Sequence, residues 1–307
     1  MSIEKKSPEI ISAKPEFRCG YITIAGRPNV GKSTLLNQIL GQKVAIISPK
    51  PNTTRNRILG VKTLEDAQLI FLDTPGIHQA TKELNKYMVE QALRSAREAD
   101  LIYLMIEANT PWQEEDIFTF RQLAVLELPL ILVINKIDLV KKRDLLPLID
   151  YSQKLGPFKE IVPISALKAD GIDELINATI PYLPESPALF PEDMVTDQAE
   201  RFWVSEVIRE KLFLLTHQEV PYSTAVLIED WKETPNLLRI RAIIFVERPS
   251  QKGIIIGEKG RMIKKIGTLA REEIEFFLGT KVYLELRVKV SKNWTKDPYA
   301  LRRMGYR

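Results

Sequence analysis

The chain has 307 residues, 45% hydrophobic and 27% charged, and a net charge of only +4; that length suggests about two domains of ~150 residues, and the composition excludes the disordered and fibrous classes. One cysteine, Cys19, and two histidines, His78 and His217, exclude a disulfide framework within the chain and make a Cys/His zinc site implausible. No apolar run approaches the ~20 residues that span a bilayer, and residues 1–15 carry Glu4, Lys5, Lys6 and Glu9 without the apolar stretch of a signal peptide, so a cytosolic protein is expected.

In the first half, short apolar runs rich in β-formers recur at 21–25, 69–72, 101–106, 130–134 and 161–164. Such continuous runs suit strands buried on both faces. Helical patterns lie between several of them: at 34–40, at 83–97, and from Thr110 onward, with Pro111 at the first helical position and Gln113 three residues after the cap. The alternation predicts an α/β domain with a mostly parallel sheet and helices on both faces. Pro181, Pro184, Pro187 and Pro191 then crowd into a stretch that is neither good helix nor central strand, the mark of a linker. Beyond it the order changes. A helix is expected at 198–216, paired strands at 223–231 and 237–246, a basic-then-acidic helix at 261–278 and a strand at 281–290. These make a smaller α+β domain. The expected boundaries are 1–183 for the first domain, 184–197 for the Pro-rich linker, and 198–307 for the second domain with its basic tail.

The first expected strand runs into Gly26-Arg-Pro-Asn-Val-Gly31-Lys32-Ser33, and a helix follows. This is G-x-x-x-x-G-K-[ST] in its required strand–loop–helix setting. The two glycines let backbone N–H groups turn inward around phosphates, and the helix adds its positive end. Lys32 can reach the β- and γ-phosphates, and Ser33 offers a hydroxyl to Mg²⁺. Three further segments sit at the ends of later strands, where α/β folds keep their ligand loops. Asp73-Thr-Pro-Gly76 supplies a carboxylate for the Mg²⁺ shell, and a Gly76 N–H that can follow a γ-phosphate as it leaves. Asn135-Lys136-Ile-Asp138 supplies a carboxylate that accepts from guanine N1 and N2, donors that adenine lacks. Asn135 would hold N7 and the Lys136 stem would cover the base. Ser165-Ala166-Leu167-Lys168 can offer the Ala166 N–H to the guanine O6. A site built to satisfy such groups rejects analogues lacking them by ~10⁴ or more.

These segments resemble the G1, G3, G4 and G5 motifs of the translation-factor-related GTPases. The P-loop sequence, together with Asn52-Thr53-Thr54-Arg55, is similar to the Era/TrmE/EngA group in particular. The resemblance implies GTP and GDP as ligands, with Gly26, Asn29, Val30, Gly31, Lys32, Ser33, Thr34, Asn135, Lys136, Asp138, Ser165, Ala166 and Leu167 around the nucleotide. It implies a catalytic set of Lys32, Thr54, Asp73 and Gly76, and Mg²⁺ held by Ser33, Thr54 and Asp73. Thr53-Thr54 would be the G2 switch; Thr54 is favoured because it directly precedes Arg55, but the sequence leaves the choice open. Asn29 resembles the asparagine that coordinates K⁺ in this group. Ile77 stands where many relatives carry the glutamine that orients water, so backbone groups or outside help must hold the attacking water. Arg27 and Arg55 are read as solvated loop charges and His78 as a surface histidine.

Residues 247–307 carry 15 Lys and Arg against 7 Asp and Glu, a net of +8, while residues 1–246 carry 29 against 33, a net of −4. A basic end on an acidic body predicts an anionic partner there, nucleic acid or an anionic membrane surface. Gly257-Glu258-Lys259-Gly260 is a GxxG loop between Ile254-Ile255-Ile256 and a basic helix. Its glycines would let a sugar-phosphate chain approach. Lys259, Lys264 and Lys265 would neutralise phosphate, and Ile255, Ile256 and Ile263 would floor a groove for unstacked bases, as in a KH module on single-stranded RNA. Trp203, Trp231 and Trp112 are expected in or near the core. Trp294, between Lys292 and Lys296, is a candidate for base stacking. The element order resembles a type II KH fold, and one GTPase domain followed by it resembles the Era branch of the group. By that resemblance the chain is a monomeric assembly factor for the small (30S) ribosomal subunit, near the 16S rRNA 3′ end, cytoplasmic with peripheral contact to the inner membrane face.

Overall fold

A computed structural model describes residues 17–78 and 83–306. The reading of residues 1–15 lies outside the described residues. The first domain is built on a six-stranded sheet. Its strands are β1 (Arg18–Gly26), β2 (Ile58–Thr63), β3 (Ala67–Asp73), β4 (Leu101–Glu107), β5 (Leu130–Asn135) and β6 (Glu160–Pro163), in the order β2-β3-β1-β4-β5-β6. All neighbours are parallel except β2 and β3. The central strands are buried along their whole length, which is why they read as unbroken apolar runs. Helices α1 (Lys32–Leu40), α2 (Glu83–Arg97), α3 (Glu114–Ala124), α4 (Lys142–Leu155) and α5 (Ile172–Thr179) connect the strands. The apolar residues fall into two main clusters: Leu35, Leu36 and Leu175 belong to one, Ala92, Leu123 and Leu148 to the other.

The α/β expectation holds, with several differences. The helix expected from Thr110 begins at Glu114. Trp112 has φ 52°, which no helix accommodates, and Gln113 is the cap, its N–H donating to Asp116 Oδ2 at 2.9 Å. Helix α4 went unread because Pro147 lies inside it, and β2 because Gly60 interrupts its apolar pattern. Nor is the Pro-rich segment a free tether. Buried Gln68 on β3 accepts from the N–H groups of Leu189 and Phe190 and donates to the Phe190 carbonyl. Val61 N–H donates to the Val195 carbonyl, and Thr196 Oγ1 to that of Leu59. The segment therefore covers the edge strand β2, which would otherwise present open backbone groups.

The second domain has a three-stranded sheet of β7 (Ala225–Thr234), β8 (Leu237–Val246) and β9 (Val282–Val290), with β7–β8 antiparallel and β8–β9 parallel. Helices α6 (Glu200–Leu215), α7 (Pro249–Ile256) and α8 (Arg261–Leu278) bury a core of Trp203, Ile208, Ile244, Ile255, Ile266 and Ile274 with it. The chain ends in α9 (Pro298–Arg303), and Trp294, Leu301 and Tyr306 pack on Leu84 and Met88 of α2. The tail thus joins the two domains. Among the described residues no helix is long and apolar enough to cross a membrane.

Replacing Gln68 by Leu would leave the backbone groups of 189 and 190 without their partner. Gln68→Leu is therefore expected to lower the unfolding free energy by about 2–3 kcal/mol, read as a fall in urea midpoint at unchanged m-value.

Candidate functional site

The phosphate loop links β1 to α1. Gly31, at φ 107°, opens the helix, and a Cβ there would overlap Asn135 Nδ2, so only glycine fits. Lys32 is buried, its Nζ donating to the carbonyls of Gly26 (3.1 Å) and Arg27 (2.9 Å). Burial pushes its pKa down to about 8, opposed by Asp73. Ser33 Oγ donates to Asp73 Oδ2 at 2.6 Å and lies 2.9 Å from Thr54 Oγ1. Thr54 Oγ1 also donates toward Asp73 Oδ2 at 3.5 Å, whereas Thr53 Oγ1 turns away to the Lys50 carbonyl. Of the two threonines, Thr54 is the one whose hydroxyl faces Ser33 and Asp73.

Asp73 is fully buried and its Oδ1 has no hydrogen-bond partner. Burial pushes its pKa up to about 6, with Ser33 and Lys32 pulling it back. A half-partnered carboxylate beside two hydroxyls is an oxygen donor set suited to a hard divalent cation. Gly76 closes the cleft, packed so tightly on Pro28 that a Cβ would lie 2.7 Å from its nitrogen. Thr34 follows, half-buried, in the first turn of α1. Exposed Asn29, at φ 64°, donates Nδ2 to the Pro49 carbonyl at 2.8 Å and so ties the phosphate loop to the loop bearing Thr54. Ile77 is 0% exposed in the apolar core, and its N–H donates to the Gly26 carbonyl. Its side chain contributes nothing to orienting water.

At the other end of the cleft, the expected base contacts are partly redistributed. Asn135 does not present a free amide: Nδ2 donates to the Val30 carbonyl (2.8 Å) and Oδ1 accepts the Ala166 N–H (2.9 Å). It braces the phosphate loop against the 165–168 loop, and the Ala166 N–H expected on a guanine is engaged by that brace. Exposed Asp138 accepts from Ser165 Oγ at 2.6 Å through Oδ1. Lys136, at φ 66°, anchors its Nζ on Glu107 at 2.5 Å, and Leu167 is 73% exposed beside this end.

Three further expectations are corrected. Arg27 is not a solvated charge; it pairs with Glu107 (3.1 Å) and with buried Asp116 (3.3 Å). Arg55 is 2% exposed and engaged by the second domain. His78 is half-buried, with Nδ1 3.0 Å from the Gly76 carbonyl.

In the second domain the GxxG loop joins α7 to α8. Lys259, Lys264 and Lys265 are exposed, as is Glu258, and the N-terminal turn of α8 carries no acidic residue. A Cβ at Gly257 would meet Met262 at 2.7 Å, but one at Gly260 would meet nothing within 4 Å, so the face over Gly260 is open to a ligand. A groove runs between α8 and β9, lined by Ile263, Lys264, Gly267, Thr268, Arg271, Leu284 and Leu286. Of the isoleucines expected to floor it, Ile263 does. Ile255 is 0% exposed in the core, and half-buried Ile256 packs against that core. The groove residues beyond Lys265 were missed, although the spacing Ile263, Gly267, Arg271 marks one face of a helix. Trp294 is no stacking platform: it is 0% exposed, and its Nε1 donates to the Ser223 carbonyl.

A GTPase family model, described as 50S ribosome-binding GTPase, matches residues 21–136, and a KH domain model matches residues 219–295. The GTPase Era of Syntrophus aciditrophicus is 52% identical over 94% of this chain and 95% of its own length. A variant of Era from Aquifex aeolicus, solved with GDP·AlF₄⁻, superposes with a TM-score of 0.92 at 49% identity, over 94% of this chain and 99% of that one. An Era structure in complex with MgGDPNP and nucleotides 1506–1542 of 16S ribosomal RNA gives the same score, identity and coverage.

The Asp116 carboxyl is raised to about 6, by burial first, with Arg27 opposing. A folded-state pKa above the unfolded one means that stability is present at low pH and lost as pH rises through about 6. Asp116→Asn is insensitive to this. Its stability relative to wild type should rise by about 1–3 kcal/mol between pH 4.5 and 7, measured by paired urea titrations.

Proposed function

The chain belongs to the Era family of GTPases, and on that premise we propose that it is a guanine-nucleotide switch that controls single-stranded ribosomal RNA binding during small-subunit assembly. On this reading the boundaries are 1–183 for the nucleotide domain, 184–197 for the Pro-rich linker and 198–307 for the KH domain with its tail. The observation that carries this reading is the convergence of Ser33 Oγ, Thr54 Oγ1 and the half-partnered Asp73 carboxylate beside buried Lys32.

Lys32 leaves its two loop carbonyls for the β- and γ-phosphates of GTP, where its ammonium is charged and matched. Ser33, Thr54 and Asp73 would hold Mg²⁺, which would neutralise charge on the nucleotide's phosphates. Asn29 Oδ1 would be the atom available to a K⁺, since its Nδ2 is committed to Pro49; that ion would add positive charge where the transition state develops negative charge. Because Ile77 is buried, backbone N–H groups of Gly76 and of the Thr54 loop orient the water that attacks the γ-phosphorus. Slow intrinsic hydrolysis to GDP and phosphate follows from such a site. Asp138 selects guanine through N1 and N2, Lys136 covers the base, Asn135 and Ala166 brace the pocket, and Val30, Thr34, Ser165 and Leu167 complete its walls.

The KH groove takes unstacked bases between Ile263 and the leucines of β9, with the backbone passing over Gly260 and Lys259, Lys264 and Lys265 on its phosphates. A relative in complex with the 1506–1542 segment of 16S rRNA supports the small subunit as the partner. The protein acts in the cytoplasm. Peripheral contact of the same basic face with anionic membrane is the rival use of that surface.

Asp138→Asn should move preference from guanosine to xanthosine nucleotides, because an amide can donate to the xanthine 2-oxo group; calorimetry with GDP and XDP reads this. Unchanged GDP binding by the variant contradicts the base assignment. Gly260→Asp meets no atom within 4 Å, although an L residue at φ 77° is strained, a strain that a Gly260→Asn control shares; the Asp variant puts a negative charge where phosphate would pass. It should weaken single-stranded RNA binding on the order of ten-fold or more while barely affecting anionic vesicles. The reverse pattern favours the membrane.

A further inference from the structure

The loop between α1 and β2 that carries Thr53 and Thr54 is fastened to the second domain along its length. Trp203 Nε1 donates to the Lys43 carbonyl at 3.1 Å. Glu210 of α6 accepts from Lys43 Nζ and from the Ile47 N–H at 3.0 Å. Lys50 Nζ donates to the carbonyls of Phe213 and Thr216 at the end of α6.

Arg55 completes the attachment in a different way. Its guanidinium forks onto backbone carbonyls, NH1 donating to Thr224 (2.6 Å) and NH2 to Pro221 (3.2 Å) and Tyr222 (3.1 Å). NH1 also donates to the Tyr306 hydroxyl at 2.9 Å. Three rings surround it, Phe213, Trp294 and Tyr306, with centroids 5.7, 6.0 and 5.8 Å from Cζ. Trp294 and Tyr306 stack on one another, 5.9 Å apart and 12° from parallel. The nearby buried guanidinium of Arg209 is paired with Glu206. Arg55 is thus a buried cation held by neutral acceptors and π-faces, without an ion-pair partner among the described residues.

That chemistry suits a releasable joint better than a permanent one. A buried charge without a counter-ion keeps most of its desolvation penalty, and burial indeed lowers the Arg55 pKa. An apolar side chain in the same place would hold the domains together more firmly. What the guanidinium adds is direction: a planar fork that a carbonyl fan and a hydroxyl orient. Thr54 is its chain neighbour, ~3.8 Å away at Cα, so a shift of Arg55 by more than an ångström or two carries Thr54 with it.

We propose that Arg55 is a positioning residue for GTP hydrolysis: seated in the socket of Trp294 and Tyr306, it sets Thr54 Oγ1 opposite Ser33 and Asp73, so the end of the RNA-binding domain is part of the GTPase site. This rests on Thr54 as the metal-facing threonine. It predicts an effect confined to the triphosphate state, because switch loops of this kind are ordered by the γ-phosphate and its metal.

The test uses the full chain with Mg²⁺ and measures the affinities of GDP and of a non-hydrolysable GTP analogue, with kcat for GTP. Arg55→Ala should lower the analogue-to-GDP affinity ratio on the order of ten-fold and reduce kcat, with GDP affinity kept. Arg55→Lys should rescue little of this, since an ammonium cannot fork. Tyr306→Phe should give a smaller loss, and adding it to Arg55→Ala should cost nothing more. An unchanged ratio in Arg55→Ala overturns the inference. So does full rescue by Lys, strict additivity with Tyr306→Phe, or equal loss of GDP and analogue affinity, the pattern of a merely structural role. Thr54→Ala separates the two layers. If it leaves the ratio intact, the reading of Thr54 falls and the inference with it; if it lowers the ratio while Arg55→Ala does not, the inference alone falls.

Discussion

Two neighbouring residues on one loop answer to different domains. Thr54 turns to Ser33 and Asp73 inside the nucleotide cleft, and Arg55 is buried against the turn at 221–224 and the last residues of the chain. Backbone continuity makes the two positions inseparable. On the proposed reading, the geometry of the cleft and the seating of the second domain are coupled through this loop, with Arg55 next to Thr54 as the shortest link. The other features of the joint serve that constraint.

The joint has an apolar part and a polar part. Trp294, Leu301 and Tyr306 pack on Leu84 and Met88 of α2, the helix that follows the Asp73–Gly76 loop, and this contact is apolar. Against α6 and α8 the same domain is held by charges: Lys43 bridges Glu210 and Glu273, and Lys211 joins both. Polar joints between domains readily rearrange, whereas apolar ones resist. The loop bearing Thr54 sits on the rearrangeable side. Meanwhile the strap at 184–197 is bound along β2 and β3 through Gln68 and Thr196.

The sequence was most legible where backbone geometry demands a residue type. Gly26, Gly31, Lys32 and Ser33 land together because a phosphate cradle tolerates little else, and the buried strands were visible because both their faces are covered. It was least legible where tertiary partners decide. Arg27 and Arg55 look like loop charges until Glu107, Asp116 and the ring of Tyr306 are brought to them from distant parts of the chain. Trp294 lies between two exposed lysines, yet its ring turns inward to Ser223. Ile255 reads as groove and lies in the core, because a helix places adjacent isoleucines on different faces. Asn135 ends β5, but its role as a brace depends on a carbonyl of residue 30, which no local pattern reveals.

If the loop shared by the cleft and the RNA domain has two arrangements and both ligands favour the same one, their binding is thermodynamically linked. The direct measurement is the affinity of a non-hydrolysable GTP analogue with and without a saturating single-stranded RNA carrying the 16S 3′ segment, and of that RNA with and without the analogue. The account predicts that each ligand tightens the other by one and the same factor, about five-fold or more. Identical affinities in the presence and absence of RNA would contradict it.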